Sequence, residues 1–262
     1  MSEKKLEAIR LPKQILDMEM SLFVDCAVTA RDTVKILQKL YGKEIIKSHQ
    51  TIHNHAEALA AFVEENEGLL PVSVSDEVCE DETYVKYEGK WGYLFRAFNP
   101  ERRNVIAEHF STHRDAKGAI TLNKKVIEIY LRNLKDPEFK LISDQAPIYP
   151  CAIDYLHEKA KIEHFAIKGI FDEPDEECSE YRSEKQMIER SFESLKSGIK
   201  RRRRFGSLTG AKTFCYLHKI FYNHLRPHES LANEPPIPLH LKSGKQVSNW
   251  NELIQYLSEK RR

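Results

Sequence analysis

Apolar positions along the first part of the chain recur at helical spacing. Leu16, Met20, Phe23 and Val24 form one set, Val34, Leu37, Leu40 and Tyr41 a second, and Ile52, Ala56, Leu59 and Phe62 a third. Thr29 is placed to cap the second helix, with Asp32 in its first turn, and Gly42 to stop it; Ser48 is placed to open the third. Two short helices joined by a glycine-containing turn make a helix-turn-helix pattern. It predicts a helical, DNA-binding domain over 1–70, with the binding module at 29–63. The stretch 65–78 (ENEGLLPVSVSDEV) carries Gly and Pro and reads as a linker.

From Val78 the period changes. Residues 78–98 are rich in Val, Tyr, Phe and Trp with a Gly-Lys break at 89–90, which predicts a β-hairpin, and 104–112 predicts a third strand. Helical spacing returns over 119–134. A short apolar strand at 139–143 ends in Asp144, a helix follows at 150–159, and another strand at 162–167. Helices are predicted at 184–204 and 208–225. Strands first, then strand and helix alternating, predict a mixed α/β domain over 76–235. Residues 236–262 are expected to be a C-terminal tail.

With 262 residues, one or two domains are expected. No apolar run reaches the roughly 20 residues of a membrane span, and MSEKKLEAIRLPKQ has no apolar region of the kind a secretory leader needs. The five cysteines form no CxxC pair, so a disulfide framework or Cys-rich zinc site is not expected and a reducing compartment is. Net charge is +1, but that mean hides two blocks. Residues 172–180 hold six acids and no base; residues 196–204 (KSGIKRRRR) hold six bases and no acid. Such a basic run suits phosphate contact, with a solvated face as the plain alternative.

Three acids stand apart by context. Asp81 lies inside a strand among apolar and aromatic residues, Asp144 ends a short apolar strand, and Glu189 follows Ile188 on a helix. Strand, strand end and helix can bring three carboxylates to one point. Such a cluster repels itself and calls for a hard divalent cation, which Mg²⁺ supplies. Two such ions, about 3.5–4 Å apart, serve phosphoryl transfer. Each acid singly has an ordinary structural reading: a turn former, a helix cap, a solvated side chain.

The segments DETYVKYEGKWGYLFRAFN, LISDQAPIYP and IERSFESLK, followed by FYNHLRPHESL, resemble the DDE transposases of prokaryotic insertion sequences, in particular the IS-six (IS240-type) group. The Asp81 strand matches the group's first motif, Asp144-Gln-Ala-Pro-Ile-Tyr149 the second, and Glu189 with Lys196 seven residues later the third. The resemblance covers about residues 15–230. It implies an N-terminal helix-turn-helix followed by a ribonuclease H-like (integrase-type) mixed-sheet catalytic domain. It implies Asp81, Asp144 and Glu189 as catalytic, metal-holding residues, with two Mg²⁺ (or Mn²⁺) ions as cofactor. It implies double-stranded DNA, insertion-sequence ends and target, as partner, homo-oligomers on that DNA, no membrane, and a cytoplasmic, nucleoid-associated location in a prokaryote. Asp144 and Glu189 lie 45 positions apart, and the acidic stretch 172–180 accounts for that length as an inserted loop. Glu193, one turn on, is the rival third ligand; Ile188 before and Lys196 after favour Glu189.

The DNA-facing residues are expected to be His49, Gln50, Thr51 and Asn54 near the start of the third helix, where Asn and Gln can pair with adenine edges, and Lys196, Lys200, Arg201, Arg202, Arg203 and Arg204 on phosphate. Tyr222, Asn223, Arg226, Pro227 and His228 form an ending common in DDE transposases and read as structural. Two other functions compete with an active transposase. One is a catalytically silent DNA-binding protein derived from a transposase. The other, a transcription factor with a small-molecule domain, predicts no convergence of carboxylates. Whether Asp81, Asp144 and Glu189 converge discriminates among them.

Overall fold

The change of period at Val78 is a change of fold. In the computed structural model, which describes residues 6, 9, 11–133, 137–167 and 181–261, the chain divides into two compact units, Met1–Pro71 with Leu195–Arg262, and Val72–Ser194. The acidic stretch 172–180 lies outside the described residues.

The second unit is built on β1 (Glu77–Tyr87), β2 (Lys90–Asn99), β3 (Asn104–Ser111), β4 (Glu138–Asp144) and β5 (Lys161–Ile167), with helices α4 (Ala116–Asn133) and α5 (Ile148–Leu156) between them. Sheet order is β3-β2-β1-β4-β5. The first three strands run antiparallel, and β4 and β5 add in parallel. This is the expected ribonuclease H-like mixed sheet, with β1 at its centre. Glu88 and Gly89, at φ 47° and 78°, form the hairpin turn; two positive φ values match strand twist, and glycine adopts one without steric cost. Helices α4 and α5 bury Leu122, Val126, Tyr130, Tyr149 and Leu156 with Val78 and Phe95 of the sheet. The approach is close at Gly118, where an added Cβ would stand 2.6 Å from the Phe95 ring.

The first unit holds α1 (Lys13–Met20), a π-helical turn at Ser21–Asp25, α2 (Ala30–Tyr41), α3 (His49–Glu65), α7 (Leu208–His224) and α8 (Trp250–Arg261). Thr29 caps α2, its Oγ1 accepting from the Asp32 amide at 3.2 Å, and Gly42 ends it at φ 95°. Met20, Leu37, Ile52, Leu59, Phe62, Leu217, Ile220, Trp250 and Leu257 make its core. Leu40 and Tyr41, grouped with Val34 and Leu37 by spacing, are exposed instead. Among the described residues no helix is long and apolar enough to cross a membrane.

Two boundaries differ from the sequence reading. Residues 236–262 are not a tail. Asn249 caps α8 by accepting from the Glu252 amide at 3.0 Å, and Trp250 donates from its backbone N to Asp17 (2.9 Å) and from its indole to Asp25 (3.1 Å). Residues 195–235 group with the N-terminal helices rather than with the sheet. Helix α6 (Arg182–Arg202) therefore has residues in both units, and it stops at Arg202, before the left-handed Arg203 at φ 60°.

Candidate functional site

Strand pairing positions the acids. The β1–β4 ladder covers only Glu77–Cys79 against Lys140–Ile142. Asp81 lies just past that ladder on β1, and Asp144 is the last residue of β4. Asp81, Glu82 and Asp144 each bring a carboxylate oxygen within 4.8 Å of the other two. Asp81 Oδ1 accepts from the Glu82 amide, and Asp144 Oδ1 from the Ala146 amide, both at 2.9 Å. Burial above all, and then the negative charge of Glu82, push the Asp81 carboxyl up to about 7; the Lys185 ammonium pulls it back, and Asp144 adds to the rise.

Glu82 was not singled out by the sequence. It is buried and occupied at both oxygens: Arg114 Nε donates to Oε1 at 2.5 Å, and the Tyr149 hydroxyl to Oε2 at 2.7 Å. Arg114 also reaches Asp144 Oδ2 at 3.7 Å. Glu82 thus holds the site together, while Asp81 and Asp144 are the acids able to turn oxygens toward a cation. Tyr149 was visible as the last residue of the second motif, but without a role. Arg114 and Lys185 had no local signal.

The Glu189 carboxylate is not among the three clustered acids. It sits half-buried on α6, one turn after Lys185, between buried Ile188 and the buried pair Ser191 and Phe192, whereas Glu193 is exposed. That helix is fastened to the sheet through Arg96, the cross-strand partner of Asp81. Buried Arg96 donates to the Ser191 carbonyl at 2.8 Å and hydroxyl at 3.0 Å, and its guanidinium lies 4.4 Å from the Phe192 ring centre. Its Nε donates to Glu108 at 2.7 Å.

The donor chemistry fits a hard divalent cation. Asp81 and Asp144 supply oxygens only, and Asp81 carries a charge that its neighbours disfavour and a cation would favour.

In the first unit, His49, Gln50 and Asn54 are exposed on α3, and Gln50 Nε2 donates to Asn54 Oδ1 at 3.0 Å. Thr51 is half-buried, its hydroxyl 3.4 Å from that of Ser48. His53 packs edge-on against Phe23, and His55 bonds Glu19 at 3.0 Å, so both serve the fold. Of the basic run, Lys196, Lys200, Arg201, Arg203 and Arg204 are exposed, although Arg201 also donates to the Cys26 carbonyl at 2.7 Å. Arg202 departs from the expectation of phosphate contact. Its guanidinium donates to the carbonyls of Phe23 and Val28 and lies over the Phe214 ring at 3.9 Å. Burial lowers its pKa to about 9. Tyr222 and His228 meet edge to face at 4.8 Å, with Arg226 over the Tyr222 ring, the structural use their pattern suggested.

Comparison with known proteins gives the family of the matched span. Residues 75–228 match the IS240-type transposase family model, described as a DDE domain. The transposase for insertion sequence element IS257 in transposon Tn4003 of Staphylococcus aureus is 26% identical over 201 residues, covering 76% of this chain and 79% of that one. The transposase for insertion sequence-like element IS431mec of S. aureus strain Mu50 is 32% identical over 133 residues, half of each chain. Among solved structures, a simian T-cell lymphotropic virus intasome in complex with PP2A regulatory subunit B56 gamma aligns at TM-score 0.42 and 15% identity, over 70% of this chain and 69% of that one. The Mos1 strand transfer complex aligns at TM-score 0.31 and 12% identity, over 80% and 95%. DDE domains use divalent metal, and the matched span contains all three motif acids together with Glu82, Arg114 and Tyr149: the chain belongs to the IS240-type DDE transposases.

Proposed function

We propose that this chain binds insertion-sequence ends and carries out DNA strand cleavage and strand transfer with Asp81, Asp144 and Glu189 as its metal-holding residues. The observation that carries the reading is the meeting of Asp81 and Asp144 where β1 and β4 part. Bound there, two Mg²⁺ (or Mn²⁺) ions supply alignment of the attacking oxygen and neutralisation of charge developing at phosphorus. The chain's own residues prepare that site. Arg114 ties Glu82 to Asp144, and Tyr149 holds the far side of Glu82. Lys185 partly offsets the charge of Asp81. Arg96 fastens the helix bearing Glu189 to the strand beside Asp81.

Residues 1–70 act as the DNA-binding domain and the sheet as the catalytic one. His49, Gln50, Thr51 and Asn54 face base edges in this reading, and Lys196, Lys200, Arg201, Arg203 and Arg204 face phosphates. Two ends and a target make a homo-oligomer on double-stranded DNA, in the cytoplasm of a prokaryote, the natural working form.

The test is strand cleavage by the purified chain with Mg²⁺ and DNA carrying the ends of its own element. Wild type should nick at the ends. Asp81→Ala, Asp144→Ala and Glu189→Ala should each bind the ends and leave them intact, and Glu193→Ala should still cleave. Wild type that binds but never cleaves would make the chain a silent DNA-binding protein. A dead Glu193→Ala beside an active Glu189→Ala would move the third ligand by one turn.

A further inference from the structure

Among the described residues, the outer end of one hairpin face stays partly open, with Tyr84 and Trp91 exposed and Tyr93 half-buried. On the face that carries Glu82, α4 covers Phe95 through Gly118, but the strands run on past the helix. Beyond it, Tyr84 pairs with Tyr93 across the ladder, and Lys86 with Trp91. Tyr84 is 52% and Trp91 53% exposed. The rings form one cluster: Tyr84 lies 5.3 Å from Tyr93 and 6.0 Å from Trp91, centre to centre. The Lys86 ammonium stands 5.5 Å from the Trp91 ring. Lys90 pairs with Tyr87 and so lies on the opposite face, and Arg114 is held by Glu82. At about 3.4 Å per residue, Tyr84 is only about 7 Å along the strand from Glu82.

Large aromatic side chains left half-exposed together mark a contact surface. The Lys86 ammonium over the Trp91 ring matches the charge of a polyanion. Duplex DNA offers phosphates to such a surface but hides its base faces; unpaired bases offer both. We propose that the Tyr84–Trp91–Tyr93 cluster is a stacking platform for unpaired bases of single-stranded DNA beside the carboxylate site. The proposal deepens the transposase reading by naming the form of DNA that this part of the site takes. Aromatic stacking plus cationic tracking of the backbone is the physical basis of single-strand binding, and it tolerates any base.

The experiment needs neither metal nor cognate ends. The chain has two tryptophans, and Trp250 is fully buried, so added DNA quenches chiefly Trp91. A short oligothymidine titrated into the full-length, metal-free protein should quench the emission. Trp91→Ala should weaken oligothymidine binding about tenfold or more, as for loss of one stacked base. Trp91→Phe should restore most of it, and duplex affinity should stay within about twofold. Tyr84→Ala should act like Trp91→Ala, with unchanged melting temperatures for both. Undiminished oligothymidine binding by Trp91→Ala, or an equal loss on duplex, overturns the proposal. So does a change in the mass of the free protein with single-strand binding intact, which would make the face an interface between copies. Cleavage by wild type without any quenching sinks the platform and leaves the transposase reading standing; quenching without cleavage does the reverse.

Discussion

Glu82 and Asp81 are neighbours with opposite consequences when removed. Both Glu82 oxygens accept hydrogen bonds, from Arg114 and from the buried Tyr149 hydroxyl. Glu82→Ala strands those donors, at a cost of about 1–3 kcal/mol, and should lower the melting temperature in EDTA. It should also slow cleavage, because Arg114 loses the partner that holds it beside Asp144. Asp81→Asn removes a charge that burial and Glu82 disfavour. It should melt no lower than wild type near neutral pH while losing cleavage altogether. A stabilised Glu82→Ala would show that Glu82 is strained by like charge rather than used as a clasp. Asp81 and Asp144 were legible because a motif marked them. Glu82 was hidden by strand alternation, which sends it to the opposite face from Asp81; it joins the cluster because β4 ends where Asp144 can meet both.

Helix contacts are where local sequence reads best and misleads most. Strands β1 to β5 and helices α2 to α7 follow from period and punctuation. The run KRRRR reads as one electrostatic feature, yet its members divide. Arg202→Ala removes charged hydrogen bonds to the Phe23 and Val28 carbonyls, and should cost the first unit about 1.5–3 kcal/mol. Exposed Arg203→Ala should change stability by no more than about 0.5 kcal/mol. Its loss should weaken duplex binding and reduce the salt slope by about one. Thermal melts and salt titrations of the two variants separate the roles; matching behaviour would refute the division. Gly118→Ala tests the second unit in the same way. Its Cβ would press on the Phe95 ring, so a loss of about 1–3 kcal/mol is expected from overpacking. Helix α8 went unread because the Pro- and Ser-containing stretch before it resembles a tail, although Asn249 and Glu252 stand at capping positions. What fixes it is Trp250 reaching Asp17 and Asp25, more than two hundred residues away in sequence, a pairing with no local signature.

For the whole molecule, pH acts on each unit through its own buried titratable groups. In the second unit, burial pushes Glu80 up to about 8 and Asp81 up to about 7. Glu80 accepts from Asn123 at 3.0 Å, and this only partly offsets the burial. The native unit therefore holds protons that the unfolded chain gives up near pH 3.8 for Asp and 4.5 for Glu. Native binding more protons means stability falls as pH rises, so these two acids cost the unit stability steadily from about pH 4 to about pH 8, while His164, its pKa lowered by burial, acts in the opposite sense as pH falls. In the first unit, burial raises Asp25 to about 7, which acts in the same direction as those two acids, but burial lowers His224 to about 4. His224 stays neutral when folded and takes a proton below about 6.5 when unfolded, so its share of stability is lost as pH falls. In metal-free calorimetry across that range, each unit should accordingly lose stability toward high pH through its buried acids and toward low pH through a buried histidine, His224 in the first and His164 in the second. Mg²⁺ discriminates further. A cation at Asp81 favours the ionised carboxylate, so the stabilisation it gives should grow as pH rises through the Asp81 titration. It should appear in the second unit's transition alone and shrink in Asp81→Asn. An equal Mg²⁺ effect at about pH 5 and about pH 8, or one that survives Asp81→Asn intact, would place the cation away from Asp81.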